Sequence, residues 1–156
     1  MTPASGQSRI VLSLFDRLTD REPRSSREVP ANARDQIHEL KHGIARDLTN
    51  LLNTRRSEAD IPEEFGETNR SIAAYGIQDF SSSPVDREQI RRAIEKTVRT
   101  FEPRLSHVSV LVEETPDFRL GFRIVAMMRM DIRAEPVVFD AILPKHSRRF
   151  EVQESR

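Results

Sequence analysis

Cysteine and tryptophan are missing from this sequence, and tyrosine occurs once. Without cysteine there are no disulfides, thiolate metal sites or cysteine nucleophiles, and a reducing compartment, by default the cytoplasm, suits the chain. One tyrosine and no tryptophan cannot build an aromatic platform for nucleic-acid bases. A field of one sign is missing too, because 25 Lys plus Arg balance 25 Asp plus Glu. Nothing therefore draws the chain nonspecifically to nucleic acid or to an anionic membrane. No run approaches the ~20 apolar residues of a membrane span, and Met1 to Arg9 lacks a basic start followed by an apolar stretch. Membrane insertion and signal-peptide export are not expected. The sequence also lacks G-x-S-x-G, a P-loop and G-x-G-x-x-G, which removes support for most catalytic and nucleotide-binding classes.

What is present is 156 residues, about one domain's worth, with 37% hydrophobic and 32% charged residues. Helical periodicity dominates to about Leu105 and strand alternation after His107, which predicts an α+β domain: N-terminal helices, then a small, mainly antiparallel sheet with a long central hairpin. Residues 1–30 read as an N-terminal helix and linker, and 31–156 as one domain. In the first part Ile10, Val11, Leu14, Phe15 and Leu18 form one apolar stripe, and the charged, proline-containing stretch Arg21 to Pro30 separates it from the rest. Such a helix either folds back on its own core or docks on another protein.

A second helix is predicted from Asn32 to Asn53, with Ile37, Leu40, Ile44, Leu48, Leu51 and Leu52 facing the core. Arg55 to Ser71, with Pro62, Gly66 and several acidic residues, reads as a loop, and Tyr75-Gly76-Ile77 with Phe80 as a short ordered turn. Asp86 and Gln89 resemble a capping box opening a helix whose buried stripe is Ile90, Ile94, Val98 and Phe101. Pro103 ends that helix and biases Glu102 out of it. Val108, Val110 and Val112 then share a strand face. From Phe118 to Arg133 sixteen residues alternate, far beyond the usual five or six. Such a strand must bend or run past its neighbours, and unpaired backbone groups on an overshoot would suit a partner's strand. Pro136 to Leu143 forms the next strand, and Phe150 to Val152 a short last edge.

One enzyme motif stands out. His38-Glu39-Leu40-Lys41-His42 satisfies H-E-x-x-H inside a predicted helix, where spacing by four puts both imidazoles on one face beside a glutamate. A zinc hydrolase needs a third ligand as well as an open position for water, and the glutamates that follow, Glu63, Glu64 and Glu67, fall in a loop. At 100° per residue His38 and His42 lie on the polar flank of the helix, which favours two partly exposed histidines. The acidic cluster Glu58, Asp60, Glu63, Glu64 shows no carboxylate held in an apolar pocket, as a glycosidase would need, and reads as a solvated loop. No catalytic residue, metal or cofactor is expected.

Phe101-Glu102-Pro103-Arg104-Leu105 places a carboxylate and a guanidinium either side of a proline at the helix exit, suited to polar docking or to an internal ion pair. Three further passages accompany it: Leu14-Phe15-Asp16-Arg17-Leu18, Asp47 to Arg56 (Asp-Leu-Thr-Asn-Leu-Leu-Asn-Thr-Arg-Arg), and Tyr75-Gly76-Ile77-Gln78-Asp79-Phe80. In this order the four resemble the TssE family of type VI secretion baseplate subunits, related to the baseplate wedge proteins of contractile-tailed phages and in older naming called lysozyme-like. The resemblance covers nearly the whole chain. It implies a non-enzymatic subunit, cytoplasmic in a baseplate at the inner membrane. In that role Glu102, Pro103 and Arg104, with Leu14, Phe15, Arg17 and Leu18, would meet partners. Those partners would be wedge proteins of TssF and TssG type, and the first contractile sheath subunits would assemble on the chain's strands. The same Glu-Pro-Arg corner also looks like that of a bacterial anti-adaptor that blocks delivery of a stress sigma factor to a protease, a binding-module alternative. The Leu-Phe-Asp-Arg-Leu start and the Asn-Thr-Arg-Arg helix end favour the baseplate family.

Overall fold

The computed structural model describes residues 33–56, 62, 64–80, 86–114, 120–130, 133–144, 147 and 149–155. The N-terminal stripe, including Leu14, Phe15, Arg17 and Leu18, lies outside the described residues. The elements run α1 (Ala33–Asn53), a helical turn α2 (Gly66–Asn69), a 3₁₀ turn (Ile72–Ala74), α3 (Arg87–Phe101), and strands β1 (Leu105–Glu114), β2 (Leu120–Arg129), β3 (Ala134–Leu143) and β4 (Glu151–Glu154). The α+β architecture follows the expected order, helices first and then one sheet.

The helices form because their apolar residues recur at three and four. On α1, Leu40, Ile44, Leu48, Leu51 and Leu52 are buried, and on α3, Ile90, Ile94 and Val98 are. Asp86 caps α3 by accepting from the Glu88 N–H at 2.9 Å. The cap therefore acts two residues on, while Glu88 is turned to Arg91 and Arg92. The stretch expected as a plain loop after Arg55 contains the single turn α2. It is too short to leave a periodic signature, and Asn69 Nδ2 closes it by donating to the Pro62 carbonyl at 3.0 Å.

The sheet has the order β1-β2-β3-β4, every ladder antiparallel. Phe122, Ile124, Ala126 and Met128 of β2 alternate into the core with Val137, Phe139 and Ala141 of β3. A bulge between Ser106 and Ser109, with His107 at φ 52°, lets Leu105 and Val108 both point inward although three positions apart. Both long helices cover this inner face, α3 against β1 and α1 against β4. Lys41 of α1 adds ion pairs to Glu135 and Glu154, at 3.2 and 3.1 Å.

The long strand expected from the alternation is corrected. β2 stops at Arg129, and all ten of its residues pair with β3, with β1 on its other side. The Met130 N–H donates to the Arg133 carbonyl at 3.0 Å, so the chain already reverses there. Met130 still packs against the core, which is why the apolar alternation outlasts the strand. No overshoot exists among the described residues. The sheet's edges are instead β1 and β4.

Candidate functional site

The Glu-Pro-Arg corner is a β-turn between α3 and β1. The Glu102 N–H makes the last helical bond, to the Val98 carbonyl, and the Leu105 N–H donates to the Glu102 carbonyl at 3.1 Å. Pro103 occupies the second position of that turn, where its fixed φ is favoured, and Glu102 before it is pushed out of helical geometry to ψ 83°. One residue later the Arg104 carbonyl accepts from the Arg129 N–H at 2.8 Å, so the turn feeds directly into the sheet.

Both charges of the corner turn inward. Arg104 Nε and Nη2 donate to the two oxygens of Glu102 at 2.7 and 2.6 Å, a bidentate pair, and Nη2 also reaches Asp47 Oδ2 at 2.7 Å. The side chain of Arg104 is 11% exposed and that of Glu102 5%. Burial alone would lower the guanidinium pKa; the bonds and charges of Glu102, then of Asp47, outweigh it and raise it. Its partners therefore hold Arg104 in the charged form. Its Nη1 is buried with no hydrogen-bond partner. Arg46 approaches the far side of Asp47 at 3.2 Å. Of the corner, Pro103 is exposed.

The three described passages singled out in the sequence meet here. Asp47, from the end of α1, is the second carboxylate on Arg104. Tyr75 stacks edge-on against Phe101, with ring centroids 5.4 Å apart. Burial first, and then the charges of Asp47 and Glu102, raise the phenol's pKa above its ordinary 10.0. Gly76 (φ +107°) allows the next step, a parallel bridge between Ile77 and Arg55: the Ile77 N–H donates to the Thr54 carbonyl and the Arg56 N–H to the Ile77 carbonyl, both at 2.9 Å. A Cβ on Gly76 would lie 2.4 Å from the Thr54 carbonyl oxygen, so glycine is required. Asn53 closes the far end. Its side chain donates to the Phe150 carbonyl at 2.9 Å and accepts from the Phe150 N–H at 2.8 Å, tying α1 to the approach to β4.

Asp47 and Tyr75 were not singled out as partners of Arg104 by sequence reasoning. Their signal was membership of the same family-like passages, and only the fold shows that Asp47 binds the Arg104 guanidinium while Tyr75 packs beside it on Phe101. His38, Glu39 and His42 lie exposed on α1. Among the described residues no group of three His, Asp or Glu side chains is placed to hold a metal ion, and no helix is long and apolar enough to cross a membrane.

Residues 38–132, more than half of the chain, match the family of the baseplate wedge protein gp25. The match contains α1 from His38 onward, the Gly76 bridge, the corner and β2. Neither a curated protein nor a solved structure matches the chain. With the match over most of the helical layer and half of the sheet, the chain belongs to the baseplate wedge protein gp25 family, the family that includes the TssE proteins.

Proposed function

We propose that the chain is a structural subunit of a type VI secretion baseplate, joining the core bundle of the wedge, built by TssF- and TssG-type proteins, to the first subunits of the contractile sheath. The observation that carries this reading is the family match across the Glu-Pro-Arg corner. The corner's geometry suits such a role: the ion pairs of Arg104 with Glu102 and Asp47 turn both charges of the corner inward and leave Pro103 outward as a knuckle. Leu14, Phe15 and Leu18, by their apolar spacing, and Arg17, by its place in the Leu-Phe-Asp-Arg-Leu passage, supply the second contact in this reading.

Sheath assembly, in the same reading, begins at β4 rather than β2. The outer carbonyls of β1 are covered by α3, since Arg99 donates to the Val108 carbonyl at 2.6 Å and Arg91 to that of Val110 at 3.2 Å. Among the described residues β4 pairs with β3 alone, and in this reading its other edge takes the added strand.

Tagged protein recovered from its native cells, wild type beside Pro103→Asp, tests the proposal with partners identified by mass spectrometry. Baseplate and sheath proteins should accompany the wild type and be lost from the variant, with no change in melting temperature. Recovery with a sigma factor or its protease machinery instead would establish the anti-adaptor alternative and sink the baseplate role.

A further inference from the structure

Beside the knuckle lies a cleft of about 1120 Å³ between the α2 turn, the C-terminal half of α3 and the end of β2. Its wall carries Arg56, Arg70, Lys96, Arg99 and Arg129, with Pro103 at one lip, and among the described lining residues there is no Asp or Glu. In a chain whose charges balance overall, this is a marked segregation. The neighbouring turns of α3 show what ordinary pairing looks like. There Glu88 takes Arg91 and Arg92, and Glu95 takes Arg91 and Arg99, at 2.6 to 3.2 Å. Lys96, Arg70 and Arg129 form no ion pair with any described residue, and Arg56 Nε is buried without a hydrogen-bond partner.

Cations held around one concavity repel one another, and an unbonded buried guanidinium nitrogen forfeits the hydration it had in the unfolded chain. Carboxylates entering the cleft relieve that repulsion. Arginine forks match carboxylates bidentately, and clustered arginines are a recurring means of capturing acidic motifs. Asn69 and Thr100, on the same wall, add neutral hydrogen-bonding groups for a peptide backbone.

We infer that this cleft is a docking site for an acidic polypeptide segment, its carboxylates seated on Arg56, Arg70, Lys96 and Arg129, and that the segment comes from a neighbouring wedge protein. The choice of donor rests on the function proposed above; the acidic chemistry does not. A polypeptide is favoured over nucleic acid because among the described lining residues the one aromatic ring, Phe101, is half-buried and packed edge-on against Tyr75, which leaves no platform for stacked bases. The rival occupant is this chain's own acidic stretch, because Glu58 and Asp60 lie in sequence between the lining residues Arg56 and Pro62.

Two measurements on the full chain decide it. The purified protein is titrated with a fluorescein-labelled glutamate-rich peptide, beside the variant Arg70→Glu/Lys96→Glu and the milder Arg129→Gln. Binding that weakens about tenfold or more in the double variant and less in Arg129→Gln, at unchanged melting temperatures, is expected. Equal binding by wild type and double variant, no binding at all, or tighter binding of a labelled single-stranded oligonucleotide overturns the inference. In baseplates isolated from cells, a carbodiimide then couples the Lys96 amine to any carboxylate resting on it. An amide to a Glu or Asp of another wedge protein is expected; an amide to Glu58, Asp60 or Glu63 of the same chain overturns the inference. Should the chain fail to sediment with baseplates while the purified protein behaves as expected, the proposed function falls and the acidic ligand stands.

Discussion

Two groups of cations lie within one corner of this molecule and behave in opposite ways. Arg104 is enclosed by Glu102 and Asp47, almost without solvent contact. Arg70, Lys96 and Arg129, on the other side of Pro103, are exposed and meet no described carboxylate. The difference teaches that residue type does not separate scaffold from surface here; the presence of a buried carboxylate does. A caged arginine holds elements together, and removing it leaves buried charge behind. A bare one contributes little to the fold and is available to something else.

Arg104→Ala breaks the comparison hardest. It strands the Glu102 carboxylate in the interior, and a loss on the order of 3–5 kcal/mol of unfolding free energy is expected by urea denaturation. A loss below about 1 kcal/mol would mean that the cage is not structural, the range typical of exposed pairs. Gly76→Ala comes next. Its Cβ must displace the Thr54 carbonyl, so about 2 kcal/mol should be lost, with hydrogen exchange at Ile77 and Arg56 accelerating most. Asn53→Ala removes both bonds to Phe150; about 1–3 kcal/mol is expected, read by the same denaturation, with β4 amides losing protection first.

Tyr75→Phe sharpens the comparison through pH. The phenol's pKa is raised in the folded protein, so its stabilising contribution is complete below about pH 10 and disappears as pH rises through the folded value. Lys41 behaves in the same sense: burial opposes its charge, but bonds to Glu154 and Glu135 prevail and raise its pKa. Stability should therefore decline in alkali, and Tyr75→Phe should flatten part of that decline while leaving Lys41's part. An unchanged alkaline slope would show that Tyr75 ionises as freely folded as unfolded. The smallest effect belongs to Arg70→Gln and Arg129→Gln, each expected to alter stability by no more than about 0.5 kcal/mol. A large loss at either would show that the cleft cations are structural after all.

Much of the architecture was legible because it rests on periodicity. The stripes Leu40–Ile44–Leu48 and Ile90–Ile94–Val98 mark their helices directly, and Pro103 marks a stop that the Glu102 cap confirms. The β2 terminus was not legible, since Met130 continues the apolar alternation into the turn and keeps one foot in the core. The corner itself was read from three residues, yet whether its charges faced a partner or each other depended on Asp47, fifty-seven positions from Arg104. Spacing carries no information about such a meeting. The cleft was invisible for the same reason, because its cations come from four separate stretches of chain and only the fold gathers them.

The Asn53–Phe150 clip sets an order of events during synthesis. Its two halves are 97 residues apart in sequence, so the end of α1 waits for nearly all the described chain to leave the ribosome before its last two hydrogen bonds can close. Asp47 lies two helical turns upstream on the same helix. A partly made subunit can form α1 before this clip exists. The arginine cage, whose last residue is Arg104, can close well before the clip can, so two points on one helix are secured at different stages of synthesis.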